Sequence, residues 1–130
     1  MRKQTRQECI LRDGFCCVKC HKEHRKGLQI HHVMPRRLFG PDELWNLACL
    51  CQKCHSNWHK YEDKHGICWD PRGILQLYFS WLENDDFLDD EINMLLDLYQ
   101  ENLKFQLEIL LEDDKGSRKS KKQAYFNKPR

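Results

Sequence analysis

Between Cys17 and His59 the chain carries residues of two chemistries, sorted by their spacing. Cys17-Val18-Lys19-Cys20 and Cys51-Gln52-Lys53-Cys54 are two C-x-x-C pairs with 30 residues between them. Two cysteines two residues apart on a tight turn can both direct sulfur to one tetrahedral ion, so the four together predict a structural zinc clamp. In so small a core, a structural zinc supplies on the order of 10 kcal/mol of folding free energy. The second group is His31, His32, Asn46, His55 and His59. His55 and His59 stand four residues apart, on one face of an expected helix. Imidazoles from His31, His55 and His59 would leave coordination positions on an ion open for water and a phosphate oxygen, which is a catalytic arrangement. His32, next to His31 on an expected strand, points to the opposite face. It remains available to take a proton from a water near neutral pH. Asn46 read by itself is a turn residue.

Cys54 and His55 are adjacent, so on a helix their side chains diverge by about 100° and one turn can feed both sites. Cys16 is an alternative to Cys17 with a less usual spacing to Cys20. Cys9, Cys49 and Cys68 read as small buried residues rather than ligands. Cys51-Gln52-Lys53-Cys54-His55 also fits a c-type haem attachment pattern, but that reading leaves Cys17 and Cys20 without a role.

The elements needed to position these groups follow from the same sequence. A short helix is expected over 2–12, ended by Asp13-Gly14. Strands are expected over 28–33 and 46–50, the first ended by Pro35. A helix runs from Gln52 to about His65. Pro71 after Asp70 marks the first residue of another helix. Its apolar residues Ile74, Leu75, Leu77, Tyr78, Trp81 and Leu82 recur at helical period. Asp85 or Asp86 is placed to cap a long amphipathic helix over 87–112, with Leu88, Ile92, Leu95, Leu96, Tyr99, Leu103, Leu107, Leu110 and Leu111 on its apolar stripe.

Charge is segregated along the 130 residues. Residues 1–65 hold 13 Lys and Arg against 7 Asp and Glu, residues 66–114 hold 2 against 13, and residues 115–130 hold 7 against none. Basic segments suit a polyanion, while the acidic middle would repel one. The first residues lack an apolar export signal, and no run reaches the roughly 20 apolar residues of a membrane span. Paired cysteines in such a chain point to metal rather than disulfides and to a cytoplasmic protein.

The assembled pattern resembles the HNH nucleases, the ββα-metal or His-Me finger family, in their cysteine-bearing branch. The matching residues are Arg12-Asp13-Gly14-Phe15, Cys17-Val18-Lys19-Cys20, Leu28-Gln29-Ile30-His31-His32-Val33-Met34-Pro35, Glu43-Leu44-Trp45-Asn46-Leu47, Leu50-Cys51-Gln52-Lys53-Cys54-His55 and His59, within about residues 6–62. The resemblance implies an α+β fold: a small zinc-stabilised ββα-metal core over 1–66. Beyond it lie an acidic helical extension over 67–114, packed on or beside the core, and a basic disordered tail over 115–130.

It implies a metal-dependent endonuclease that hydrolyses DNA phosphodiester bonds, in a bacterial or phage-infected cell. His32 would be the general base, and Asn46 would fix the loop that orients it. His31 and His59 would hold a catalytic divalent ion, with His55 a third ligand or a neighbour. Many relatives carry Asp in place of His31, and imidazole-rich coordination moves the preference from Mg²⁺ toward Mn²⁺, Ni²⁺ or Zn²⁺. Arg36, Arg37, Lys53 and Lys60 lie near the site in sequence and are candidate DNA contacts. The alternative is a zinc-stabilised nucleic-acid-binding module without catalysis. The apolar stripe of the extension is expected to pack on the core or on a second helix, with a homodimer or protein-partner interface as the lesser alternative.

Overall fold

The computed structural model describes residues 1–82 and 88–115. Its elements in chain order are α1 (Lys3–Arg12), β1 (Gln29–His32), β2 (Leu47–Leu50), α2 (Gln52–His65), α3 (Pro71–Leu82) and α4 (Leu88–Lys115). Short 3-10 turns at Arg36–Leu38 and Leu44–Asn46 lie between the strands. The fold is α+β. β1 and β2 form a two-stranded antiparallel sheet that pairs Gln29 with Leu50, Ile30 with Cys49, His31 with Ala48 and His32 with Leu47. All four residues of β2 are buried, so this strand is the floor on which the helices pack.

Both strands are shorter than the alternation in the sequence predicts. Asn46 belongs to a 3-10 turn and not to β2. Its N–H goes to Glu43 O at 2.8 Å, and its carbonyl takes the Val33 N–H at 2.9 Å. The turn takes the Asn46 N–H, so at this position only the carbonyl is left to bond across to the end of β1. Asp70 caps α3, its carboxylate accepting the Gly73 N–H at 3.1 Å. The expected cap at Asp85 or Asp86 and the basic segment from 116 onward lie outside the described residues. Lys115, assigned to the tail from the sequence, ends α4.

One hydrophobic cluster joins the strands and α2 to the later helices. It takes Leu47, Leu50 and Trp58 together with Ile74, Leu75, Tyr78 and Trp81 of α3 and Ile92, Leu95, Leu96 and Tyr99 of α4. Tyr99 Oη donates to Leu38 O at 2.6 Å, tying α4 to the loop between the strands. The stripe on α4 is not all used. Leu107 and Leu111 are 59% and 55% exposed, against 6% for Tyr99. The reason is length: 12 residues of α3 span about 18 Å and 28 residues of α4 about 42 Å, so the partner helix runs out. Among the described residues no helix is long and apolar enough to cross a membrane.

Candidate metal centre and nucleic-acid cleft

The sulfurs of Cys17, Cys20, Cys51 and Cys54 all lie within 4.8 Å of one another. A tetrahedral zinc with bonds of about 2.3 Å requires sulfurs about 3.8 Å apart. Cys20 and Cys51 stand at 4.0 Å, so the donor set fits that ion. The local backbone explains the gathering. Cys51 is the N-cap of α2, and its sulfur accepts the Cys54 N–H at 3.4 Å. Val18 N–H reaches Cys49 O at 2.9 Å, which holds the first knuckle beside the second. Burial would push the Cys17 thiol up, but N–H groups of Cys20, Cys51 and Lys19 outweigh it and bring it down to about 7. Cys54 is pushed up by burial and by the neighbouring thiols. Four thiolates this close repel one another, so full ionisation needs a cation among them.

Cys54 is buried in this clamp while the next residue, His55, turns toward the histidines. The His55 and His59 rings lie 4.7 Å apart, and the His31 and His55 rings 5.5 Å apart. His31 is only 6% exposed. Its Nε2 is buried and has no hydrogen-bond partner among the described residues. A buried nitrogen in that state costs stability unless something binds it. Burial, and then the neighbouring His55 and His59, hold its pKa down to about 3. His55 is lowered by burial and by His59. Both are therefore neutral near pH 7, the form that ligates metal. Unlike the sulfurs, the nitrogens of His31, His55 and His59 are not drawn within 4.8 Å of one another.

The residues around these rings include several that sequence reading missed. Gln29 Oε1 hydrogen-bonds His55 Nδ1. Glu62 Oε1 lies 3.9 Å from His59 Nδ1. Tyr78 of α3 stacks on His31, with centroids 5.2 Å apart and planes 27° apart. Trp58 meets His31 edge-on at 5.7 Å. The position of Gln29, two before His31 on a strand, could have revealed it, because alternate residues share a face. Tyr78 left only a core-like helical stripe.

His32 lies on the other face of β1. Its Nε2 is 2.6 Å from Asp42 Oδ1, a partner ten residues away that nothing in the local spacing marks. The hydrogen bond from His32 holds the Asp42 carboxyl below its ordinary range, against the effect of burial. Asn46 is 1% exposed. Its Oδ1 accepts the Met34 N–H at 2.7 Å, and its Nδ2 donates to Met34 O and Pro41 O, each at 3.0 Å. The side chain therefore fastens both ends of the segment between the strands. Gly40 is required there, since a Cβ would sit 1.8 Å from Met34 O.

A cleft of about 550 Å³ is lined by His31, His32, His55 and His59 and rimmed by cations. Arg36 and Arg37 both line it. Arg37, however, is committed internally, donating to Glu62 Oε2 at 2.8 Å and to Cys68 O at 2.8 Å. Lys53 lies instead at a separate cavity of about 430 Å³ with His24 and Lys26, and Lys60 is exposed and lines neither. Arg2, Lys3 and Arg6 of the N-terminal segment line the histidine cleft, which their distance in sequence had hidden.

A second sulfur group, Cys9, Asp13 and Cys49, is also tight enough to hold a metal. Its groups are already occupied. Arg12 Nη2 donates to Cys9 Sγ at 3.4 Å and to Asp13 at 3.0 Å. Asp13 in turn accepts the Cys49 N–H at 3.0 Å. The cluster latches α1 to β2. Cys9 and Cys49 are buried as expected for small apolar residues, whereas Cys68 is half-buried.

The chain matches no curated protein and no solved structure. It does match the family model for HNH endonuclease, over residues 17–61. That span holds both C-x-x-C pairs, the His31-His32 pair, Asn46, His55 and His59. The match to the HNH endonuclease model thus spans the stretch that holds both the cysteine and the histidine clusters.

Proposed function

We propose that this protein is a metal-dependent endonuclease that hydrolyses DNA phosphodiester bonds in the cleft around His31 and His32. One observation carries the reading beyond the family match. The buried Nε2 of His31 has no partner among the described residues, and His31 lines, with His55 and His59, an open cleft that Arg2, Lys3 and Arg36 also line. A histidine kept only for packing would have that nitrogen bonded.

His31, His59 and His55 would hold the divalent ion, which when bound supplies charge stabilisation for the pentacovalent phosphate and the leaving 3′ oxygen. Gln29 orients the His55 ring through Nδ1, as second partners of metal-binding histidines do, and Glu62 places a carboxylate 3.9 Å from His59 Nδ1. Tyr78 fixes the plane of His31 by stacking. His32 takes the proton of the attacking water. Asp42 favours the tautomer with the proton on Nε2 and leaves Nδ1 as the acceptor, and its charge stabilises the imidazolium that forms. Asn46 holds the segment that carries Asp42 against the end of β1. The four cysteines hold zinc and fix α2 to the strands.

Supercoiled plasmid incubated with the zinc-loaded protein and Mg²⁺, Mn²⁺, Ni²⁺ or Zn²⁺ tests this reading. The wild type should give nicked product with at least one ion. His32→Ala should lose about 100-fold or more in rate with zinc content and thermal midpoint unchanged. A His32→Ala protein that cuts like the wild type refutes the assignment of the base. DNA binding with no product under any of the four ions would leave the non-catalytic module as the function.

A further inference from the structure

The cleft contains more cations than can reach a substrate. Arg37 is held by Glu62 and the Cys68 carbonyl, and Arg6 donates to Leu28 O at 2.9 Å. Arg36 lies 3.4 Å from Asp42. Arg2 and Lys3, in contrast, are exposed and make no ion pair among the described residues. They open α1, whose first turn has no acidic residue. Cations at a helix N-terminus oppose the helix dipole, so this placement works against the helix and in favour of an anion. The same cleft contains the unpartnered, buried Nε2 of His31, a second and independent sign that something binds there.

The helix that presents these cations is anchored. Arg12, at its other end, donates to Leu44 O at 2.6 Å and Leu47 O at 2.5 Å, and Cys9 is fully buried against β2. Arg2 and Lys3 are thereby held at fixed places relative to His31 and His32. They also precede residue 17, where the family match begins, so that match does not assign them.

We infer that Arg2 and Lys3 form a phosphate-binding wall of the cleft, gripping the sugar-phosphate backbone of a nucleic acid beside the histidines. This inference rests on the nuclease reading for the identity of the polyanion. Each cation contacts one backbone phosphate and releases about one counterion. The contacts are independent of base sequence and set the register of the strand over His32.

Fluorescence anisotropy of a labelled DNA duplex, titrated with the full zinc-loaded chain without added divalent ion, tests it. The proteins compared are the wild type, Arg2→Ala/Lys3→Ala, Arg2→Glu/Lys3→Glu, and Lys104→Ala on the exposed part of α4. With both cations removed, the slope of log affinity against log salt should fall by about two. The advantage of the wild type should then shrink about ten-fold between roughly 50 and 200 mM salt. The Glu variant should bind worst while melting no lower than the wild type, because acidic residues suit a helix N-terminus. Lys104→Ala should match the wild type. If the wild type binds and both double variants keep its affinity and salt slope, the wall is refuted and the nuclease reading stands. If the wild type binds no nucleic acid, both fail together.

Discussion

The cysteine cluster and the histidine cluster share one turn of α2, yet they are finished to different degrees. The four sulfurs sit within 4.8 Å of one another, close to the edge length of a zinc tetrahedron, and are mostly buried. The histidine nitrogens are more widely spaced, one of them is buried with no partner among the described residues, and the cleft beside them opens to solvent. A structural site gains from closure, because every ligand it gathers adds to folding free energy. A working site must keep positions for water and substrate, and it carries unsatisfied groups to do so. The contrast is also one of range. Each C-x-x-C knuckle is built by its own turn, whereas the histidine site needs β1, α2, α3 and the segment around Asp42 to meet.

The comparison can be broken most directly at the clamp. Cys51→Ser removes both a ligand and the N-cap sulfur of α2. With on the order of 10 kcal/mol tied to zinc, the variant should fail to fold at room temperature. Circular dichroism and zinc content check this, and a folded variant with no zinc would show that the clamp is dispensable. Asn46→Ala lies between the two regions. It strands the Met34 N–H and two carbonyls, and should cost about 3 kcal/mol in urea unfolding with zinc still bound. A loss below about 1 kcal/mol would mean that the loop is held by other contacts.

The smallest effect has the opposite sign. His31→Leu replaces a buried, unpartnered nitrogen with an apolar group, and without added divalent ion it should stabilise the protein by about 1–2 kcal/mol. The same protein should lose all response to added divalent ion. The variant should also differ in acid. In the fold His31 titrates at about 3 against 6.5 when unfolded, so as pH falls from 6.5 the unfolded chain takes up this proton first. The wild type therefore loses stability as pH falls from 6.5 to about 3, and this decline is missing from His31→Leu. Urea midpoints across that range give the comparison. Equal acid slopes for the two proteins would show that His31 does not stay neutral in the fold.

The residues of the two clusters were legible because their geometry is local. A spacing of two residues on a turn, or four on a helix, places side chains together whatever the rest of the chain does, and this specified the C-x-x-C knuckles and the His55–His59 pair. Strand alternation likewise separated His31 from His32. The sequence also marked Asn46, but as a turn residue. Its three hydrogen bonds come from Met34 and Pro41, 12 and 5 residues away.

Tertiary packing decided the rest. It put Asp42 on His32, laid Tyr78 of α3 against His31, and brought the start of α1 to the cleft. It also changed the meaning of the nearby charges, tying Arg37 to Glu62 while leaving Arg2 and Lys3 exposed. Proximity in sequence says which cations are near a site. Whether a cation reaches solvent or is consumed by a carboxylate depends on partners tens of residues away, and the free energy that brings those together is the burial of one shared core.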